Sequence, residues 1–501
     1  MTDKIRVKLK NHVFLQLDCD LGIKYELRDH FTFEVPGARF TPKYKAKIWD
    51  GTISLFNIVK STLYAGVYSQ LLEFAKSREY EIELVESEYY GLPGEKTNIL
   101  PEDFVEYCKS LEVQNNDTDI KIRSYQYEAA FRAIRNKRHT ILSPTGSGKS
   151  LIIYLITRYL LDTADARILI VVPTTSLVKQ MTSDFEDYST KNKFDVEGNV
   201  HQIMAGYEKN TKKKIVISTW QSLMRLPPEW FNFDCVFIDE CQGAKSTELQ
   251  KLLEKCADTP YRFGTSGSLD KSLTHKTMIQ GVLGPIIKVA STKELIDKKQ
   301  LSPINIKCVI LNHPKETKNL LKGNKEYDVE LNYLVSCEKR NKFIRNLVLS
   351  LDGNTLVLYR LVEKHGDVLD KMFNEKVGER RYFYVHGNTD VDEREEVRSI
   401  VEKSNNAIIL ASYGVFGAGI NIKRIHNIVF ASPSKSLVRV LQAIGRGLRV
   451  ASDKSELLLF DIADDLSNNN KKKNFSYKHL VERLNIYTNE EFPYTLTTID
   501  I

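Results

Sequence analysis

A chain of 501 residues with 42% hydrophobic residues can bury several cores, which excludes a disordered chain and a small disulfide-stapled one. Its 72 basic and 65 acidic residues leave a net charge of +7, which permits a polyanionic partner without requiring one. The seven cysteines form no C-x-x-C pair, and no stretch approaches the roughly 20 apolar residues of a membrane span, so the expectation is a globular, multidomain protein of a reducing, cytoplasmic interior.

Residues 1–115 read as a small α+β domain. Strand-like runs at Ile5 to Leu9, Val13 to Leu17 and Phe31 to Val35 precede TPKYKAKIWDGTISLF (41–56), and a helical run from Tyr68 to Arg78 leads into a strand at Glu81 to Val85. In the 41–56 stretch two alternating runs meet at Asp50-Gly51, the pair favoured in two-residue hairpin turns. Alternation then predicts a hairpin with Lys43, Lys45, Lys47 and Trp49 on one face, and Tyr44, Ala46, Ile48, Ile53 and Leu55 on the other. Three lysines and a tryptophan on one face would suit a duplex backbone with a ring near a branch; the alternative is a solvated surface with Trp49 packed on a neighbour. GLPGEKTN and QNNDTD read as a loop and a linker.

From there the pattern changes to short buried strands alternating with helices. HTIL, RILIVV, KIVIST and CVFID are the clearest strands of residues 116–300, and INIKCVIL, TLVLYR, YFYVH, AIILAS, NIVFAS and LLLFDI those of residues 301–501, which close in a helical tail. Two tandem α/β units with mainly parallel sheets are expected. The Lys212 to Lys214 and NNNKKK runs read as solvated loops.

After HTIL comes SPTGSGKS (143–150), then a helical run. That order of strand, glycine loop and helix is the context of a phosphate-binding loop. Thr145, Gly146, Ser147 and Gly148 offer backbone N–H groups to phosphate oxygens, Lys149 a charge to the β- and γ-phosphates of ATP, and Ser150 a hydroxyl to Mg²⁺. Ser143 stands where the usual pattern has its first glycine. The complementary half is CVFIDECQG. Asp239 is placed to hold Mg²⁺, and Glu240 to orient and deprotonate the attacking water. Alone, the Asp-Glu pair would read as an ordinary strand end or helix cap.

With those two motifs in place, the remaining ones resemble, in family order across residues 123–449, the motifs of superfamily 2 helicases. The resemblance implies two RecA-like domains. It makes Gln126 of RSYQ the adenine-reading glutamine, and Pro173, Thr174, Thr175, Thr219, Gln221 and Ser412 contacts to the nucleic-acid backbone. TSGS (265–268) resembles the segment that couples hydrolysis to strand movement through Thr265, Ser266 and Ser268. SYGVFGAGIN (412–421) and QAIGRGLR (442–449) add Gly419, Asn421 and Gln442 at the nucleotide, with Arg446 and Arg449 reaching the γ-phosphate. Gln242 stands where many members carry His. It can hydrogen-bond toward Thr265 and Ser268 but cannot take a positive charge.

The front region, FTFEVPGARFTPKYKAKIWDGTISLF, is similar to the N-terminal domain of phage UvsW-type recombination helicases. That resemblance implies a DNA partner, branched as in forks, D-loops and four-way junctions. It implies unwinding, rewinding or branch migration in replication, recombination and repair, and the host cytoplasm as location if phage-encoded. A monomer is compatible with it, and protein partners are left open. The alternatives are an RNA helicase of the same superfamily and a nucleotide-switched DNA-binding module, the latter disfavoured by the complete set of Glu240, Arg446 and Arg449. A restriction motor would need nuclease residues, and no such cluster is evident.

Overall fold

The structure, a computed structural model, describes residues 3–85, 99–115, 118–245, 247–269, 272–321, 326–418, 422–432, 436–451, 453–467 and 473–501. The GLPGEKTN segment, nearly all of the NNNKKK run, Gly419 and Asn421 lie outside them. Two compact units are resolved. One comprises residues 1–143 and 148–289, the other residues 290–501 together with the loop tip 144–147. Among the described residues no helix is long and apolar enough to cross a membrane.

The front of the first unit is a mixed five-stranded sheet in the order Phe56–Asn57, Thr62–Tyr64, Phe14–Asp18, Lys4–Leu9, Glu81–Val85. Lys4–Leu9 pairs antiparallel with Phe14–Asp18 and parallel with Glu81–Val85. Alternation turns Ile5, Val7, Leu15 and Leu17 inward against Ile23 and Leu27 of helix Leu21–His30 and Leu71 and Phe74 of helix Tyr68–Ser77.

The expected hairpin across Asp50-Gly51 does not form. Thr41 caps and Pro42 opens a one-turn helix, Pro42–Lys45, and strand Thr52–Ser54 pairs instead with Thr32–Glu34, so that Phe33 faces Ile53. The reason is local. Thr at the cap and Pro in the first turn are a helix start, while Asp50 turns its carboxylate onto the Thr52 N–H and hydroxyl at 2.9 and 2.8 Å, directing the chain into the strand. Lys43, Lys45 and Lys47 are exposed, but Trp49 is half-buried and its indole N–H donates to the Thr52 carbonyl at 2.7 Å.

Behind the front sheet lies a seven-stranded sheet in the order Val200–Ile203, Ile215–Thr219, Ile168–Val172, Cys235–Asp239, Tyr261–Ser266, Arg138–Leu142, Ile286–Lys288. Every pairing in it is parallel. Continuous apolar runs such as ILIVV are buried along their whole length, as strands covered by helices on both faces require. Helix Pro101–Ser110, read with the front domain, buries Phe104 and Cys108 in this second core. Of the Lys212 to Lys214 run, Lys214 pairs with Asp165 at 2.6 Å and the Lys213 ammonium donates to Val200 O at 3.2 Å.

The front sheet is docked on helix Leu273–Leu283 of this second layer. Met278 lies in the front core, Thr274 donates its hydroxyl to Glu34 O at 2.7 Å, Gln70 pairs with Gln280 at 3.2 Å, and the Tyr64 hydroxyl bonds Glu254. Gly66 makes this approach possible, because a Cβ there would lie 1.9 Å from Gln280 O and 2.7 Å from Gly281 O. Gly66→Ala is therefore expected to pry the front domain off. Hydrogen exchange of residues 62–68 and 278–282 should rise together, and protection equal to the parent's would show that the interface yields without cost.

His12 joins the same interface, its N–H donating to Ala257 O and its carbonyl accepting from Arg138, both at 2.9 Å. Burial, then the charges of Arg138, Arg262 and Lys137 against Asp258, pushes its imidazole down to about 4 from 6.5. The unfolded chain takes up this proton first as pH falls. The stability that neutral His12 contributes is thus fully present above about 6.5 and is lost towards 4. His12→Gln should flatten the fall of the thermal midpoint in that window; an unchanged slope would acquit this residue.

The second unit carries another all-parallel sheet in the order Tyr382–Val385, Ile408–Ser412, Thr355–Tyr359, Asn427–Phe430, Leu457–Asp465, Ile304–Asn312, Tyr494–Asp500. The expected helical tail is helix Phe475–Asn489 followed by an edge strand, Tyr494–Asp500, that runs beside Ile304–Asn312. Asp461 and Asp464 sit fully buried in a central strand. Arg483 and the Tyr487 hydroxyl satisfy the first, and Arg340, His313 and Ser476 the second.

Candidate nucleotide and nucleic-acid site

In a parallel sheet all strands end along one edge, and the motif residues of the first unit stand on that edge. Strand Arg138–Leu142 runs into the glycine loop and helix Lys149–Ala164 follows. Gly148 takes φ 85°, and a Cβ on it would lie 2.4 Å from Gln126 Nε2, so the buried glutamine packs directly on the loop. Gln126 is fixed from the other side, its Oε1 accepting from Arg123 N–H at 2.9 Å. Gly146 also takes φ 85°, and Ser147 N–H closes a turn on Pro144 O at 3.1 Å. Thr145 lies in this turn. Lys149 Nζ points back along the loop to Ser143 O at 3.5 Å, and the Ser150 hydroxyl shares a hydrogen bond with the Tyr188 hydroxyl at 2.9 Å. Tyr188, on a different helix, carries no motif signal in the sequence.

The acidic half is two strands away. Asp239 is in register with Thr265, whose hydroxyl donates to Asp239 Oδ1 at 2.6 Å; next along, Ser143 N–H donates to Ser266 O at 2.9 Å. Desolvation at the strand end, then the adjacent Glu240 charge, pushes the Asp239 carboxyl up, while Lys149 and the Thr265 hydroxyl hold it down. Glu240 adopts φ 50°, a left-handed conformation that is strained for a side-chain-bearing residue and is held by its neighbours. Gln242 Nε2 donates to Glu240 Oε2 at 2.7 Å, and Gln242 Oε1 accepts from Ser266 Oγ at 2.7 Å. The expected partners of Gln242 were Thr265 and Ser268. Thr265 is taken by Asp239, and Ser268 enters through Ser266, whose single hydroxyl proton is shared between Gln242 Oε1 and Ser268 O, each 2.7 Å away, and whose oxygen accepts the Ser268 N–H at 3.2 Å. The amide of Gln242 thus bridges the candidate general base and the TSGS segment, using both its donor and its acceptor.

Pro173, Thr174 and Thr175 follow strand Ile168–Val172, where Thr174 caps helix Thr175–Ser189 by accepting Leu177 N–H at 3.4 Å. Thr219 ends the adjacent strand, with its hydroxyl on Ser222 at 3.0 Å, and Gln221 beyond it is exposed. In the second unit Ser412 ends a central strand, and Gln442 and Arg446 lie on helix Leu437–Gly447. Arg449 follows, and its backbone carbonyl accepts from Ser302 Oγ at 3.2 Å and Lys454 Nζ at 2.9 Å. Sequence reasoning missed Ser302, 147 residues from Arg449, and Lys454, five residues on, because neither segment carries a motif signal.

Three family descriptions match the chain in succession: DNA helicase UvsW, N-terminal, over residues 4–85; type III restriction enzyme, res subunit, over 119–270; and helicase conserved C-terminal domain over 338–451. The ATP-dependent DNA helicase uvsW of Enterobacteria phage T4 is 32% identical over 99% of this chain and 100% of its own length. The chain belongs to the UvsW family of DNA helicases. The crystal structure of T4 UvsW matches it with a TM-score of 0.52 at 31% identity, covering 99% of both chains. The DNA 3'-5' translocase XPB2 of Sulfurisphaera tokodaii is 25% identical over 70% of this chain and 86% of its own. The UvsW N-terminal match ends at Val85, the last residue of the front sheet.

Proposed function

We propose that this UvsW-family chain is an ATP-driven DNA helicase and translocase that unwinds, rewinds or branch-migrates branched DNA in replication, recombination and repair. The observation that carries the reading is the continuous network from Ser143 of the phosphate loop through Ser266, Gln242 and Glu240 to Asp239 on one sheet edge. In the first step the loop N–H groups of residues 145–150 and Lys149 hold the β- and γ-phosphates, and Gln126 reads the base. Glu240 then takes the proton of the attacking water as its oxygen bonds to the γ-phosphorus and the bond to the ADP oxygen breaks. Arg446 and Arg449 offset the charge that gathers on the transferring group.

Ser150 and Asp239 are oxygen donors of the kind Mg²⁺ takes, and burial, then the adjacent Glu240 charge, pushes the Asp239 carboxyl up, a cost of the charged form that a divalent cation would relieve. When bound there, Mg²⁺ would neutralise phosphate charge.

Loss of the γ-phosphate removes what Glu240 faces, and the Gln242 amide passes that change to Ser266 and the TSGS segment. Pro173, Thr174, Thr175, Thr219, Gln221 and Ser412 are then the loop-borne contacts that grip phosphates without reading sequence. Residues 1–85 act as the accessory domain that selects the substrate. The deciding experiment sets ATPase stimulation beside strand displacement on single strands, blunt duplex, forks, four-way junctions and RNA. Forks and junctions should stimulate most, and a preference for RNA would overturn the substrate assignment.

A further inference from the structure

We propose that Tyr188 is a positioning residue for Ser150, accepting its hydroxyl proton so that the serine oxygen is presented to the Mg²⁺ that accompanies ATP. The inference rests on the ATP-site reading above and adds to it a residue that lies outside every motif.

Ser150 lies in the first turn of helix Lys149–Ala164 and Tyr188 in the last turn of helix Thr175–Ser189, yet their hydroxyls meet at 2.9 Å. Ser150, Tyr154 and Arg158 follow one another a turn apart, which lines them along one face of the first helix. The second helix meets that face with Phe185, Tyr188 and Ser189. The Tyr188 ring stands edge-on to the Tyr154 ring at 5.3 Å, and Phe185 does so at 5.1 Å. Asn192 Nδ2 ties the end of the helix by donating to Tyr188 O at 3.2 Å and Leu111 O at 2.6 Å. The Tyr154 hydroxyl oxygen accepts from Arg158 at 2.9 Å and from Asn192 at 3.3 Å, so its proton goes to Ser189 Oγ at 2.9 Å. Tyr154 is thus spent inside this array. Tyr188, only 6% exposed, carries its hydroxyl to Ser150.

A serine hydroxyl has one proton and two lone pairs. As a ligand of Mg²⁺ it offers a lone pair, and its proton has to point elsewhere, onto an acceptor. The Tyr188 oxygen is such an acceptor, and the packing of two helices fixes it in place before any ligand arrives. A phenolic hydroxyl also donates, so the pair holds in either direction while the nucleotide is absent. Phe185, a turn earlier on the same helix, packs against Tyr154 without a hydroxyl, so packing alone does not call for one at residue 188. Groups that hold a metal ligand from behind are worth about ten- to a hundredfold in metal affinity.

The test uses the full chain and titrates magnesium chloride against binding of a fluorescent, non-hydrolysable ATP analogue, with the metal-free affinity measured in EDTA. Tyr188→Phe should leave the metal-free affinity within about twofold of the parent's and raise the half-saturating Mg²⁺ concentration about tenfold. DNA-stimulated turnover should fall at limiting Mg²⁺ and return to within a few-fold of the parent's at saturating Mg²⁺, a split that a merely structural role would not give. Ser150→Ala should raise the Mg²⁺ demand at least as much, and Tyr188→Phe on top of it should add nothing, because the tyrosine acts through that hydroxyl. An unchanged demand in Tyr188→Phe beside a raised one in Ser150→Ala overturns the role of Tyr188 and leaves the ATP site as described. No shift in Ser150→Ala removes the serine from the metal, and the inference with it. Additive losses in the double variant exclude the route through Ser150. Should Tyr188→Phe lower the thermal midpoint, the same titration is run at a temperature where both chains are folded.

Discussion

Glu240→Gln should lower DNA-stimulated ATP turnover by about 10²- to 10⁴-fold while ATP affinity stays within a few-fold of the parent's. The substitution removes the group proposed to accept the water proton, yet it keeps the side chain's length and an oxygen able to accept from Gln242 Nε2. The Gln242 bridge to Ser266, at 2.7 Å, can therefore persist. The strained backbone at residue 240 is imposed from outside the side chain, by strand Cys235–Asp239 before it and the turn at residues 241–245 after it. Single-turnover hydrolysis with a fluorescent nucleotide titration separates the two effects. Turnover within about tenfold of the parent would remove Glu240 from the reaction, and a parallel loss of affinity would mean that the network itself had collapsed.

Arg449→Ala carries the larger effect, an expected loss of about 10³- to 10⁵-fold in turnover with nucleotide binding and fold retained. Its backbone is held without the guanidinium. Ser302 donates through its N–H to Leu448 O at 2.7 Å and through its hydroxyl to Arg449 O, and Lys454 reaches the carbonyls of Gly447 and Arg449. Lys454 is only 8% exposed, and burial pushes its ammonium down to about 8, with Asp453 opposing the fall. An unchanged thermal midpoint with a collapsed rate is the signature sought. A rate near the parent's would transfer the finger role to Arg446 or to neither arginine.

The catalytic sheet edge was legible because its chemistry is local. A strand, a glycine loop and the start of a helix lie within thirteen residues from Arg138 to Ser150, and Asp239 and Glu240 follow a short apolar run of the kind buried strands show. The 41–56 stretch misleads because alternation over a few residues fits a hairpin as well as a one-turn helix, and the cue that decides for the helix, Thr41 before Pro42, is local to two residues. The Asp50-Gly51 pair does bend the chain, with Gly51 at φ 86°, but the partner strand lies across the whole loop. The buried acids of LLLFDIADD were unreadable for a related reason. Arg483 and Arg340, which neutralise Asp461 and Asp464, are 22 and 124 residues away. Gln242 was recognised as a departure, but its partners depend on which strand lies beside Cys235–Asp239, a property of the sheet order.

Met278 belongs by sequence to the motor layer and by packing to the core of the front domain. The two regions are therefore poor candidates for exchange as cassettes. A fragment ending at Val85 would lack a side chain of its own interior, and a fragment beginning after it would present Met278 and the Gln280 and Gly281 carbonyls to water. A chimaera that grafts this front domain onto another motor should keep its function only if the recipient supplies a helix able to offer a methionine-sized side chain and a carbonyl pair to Gly66.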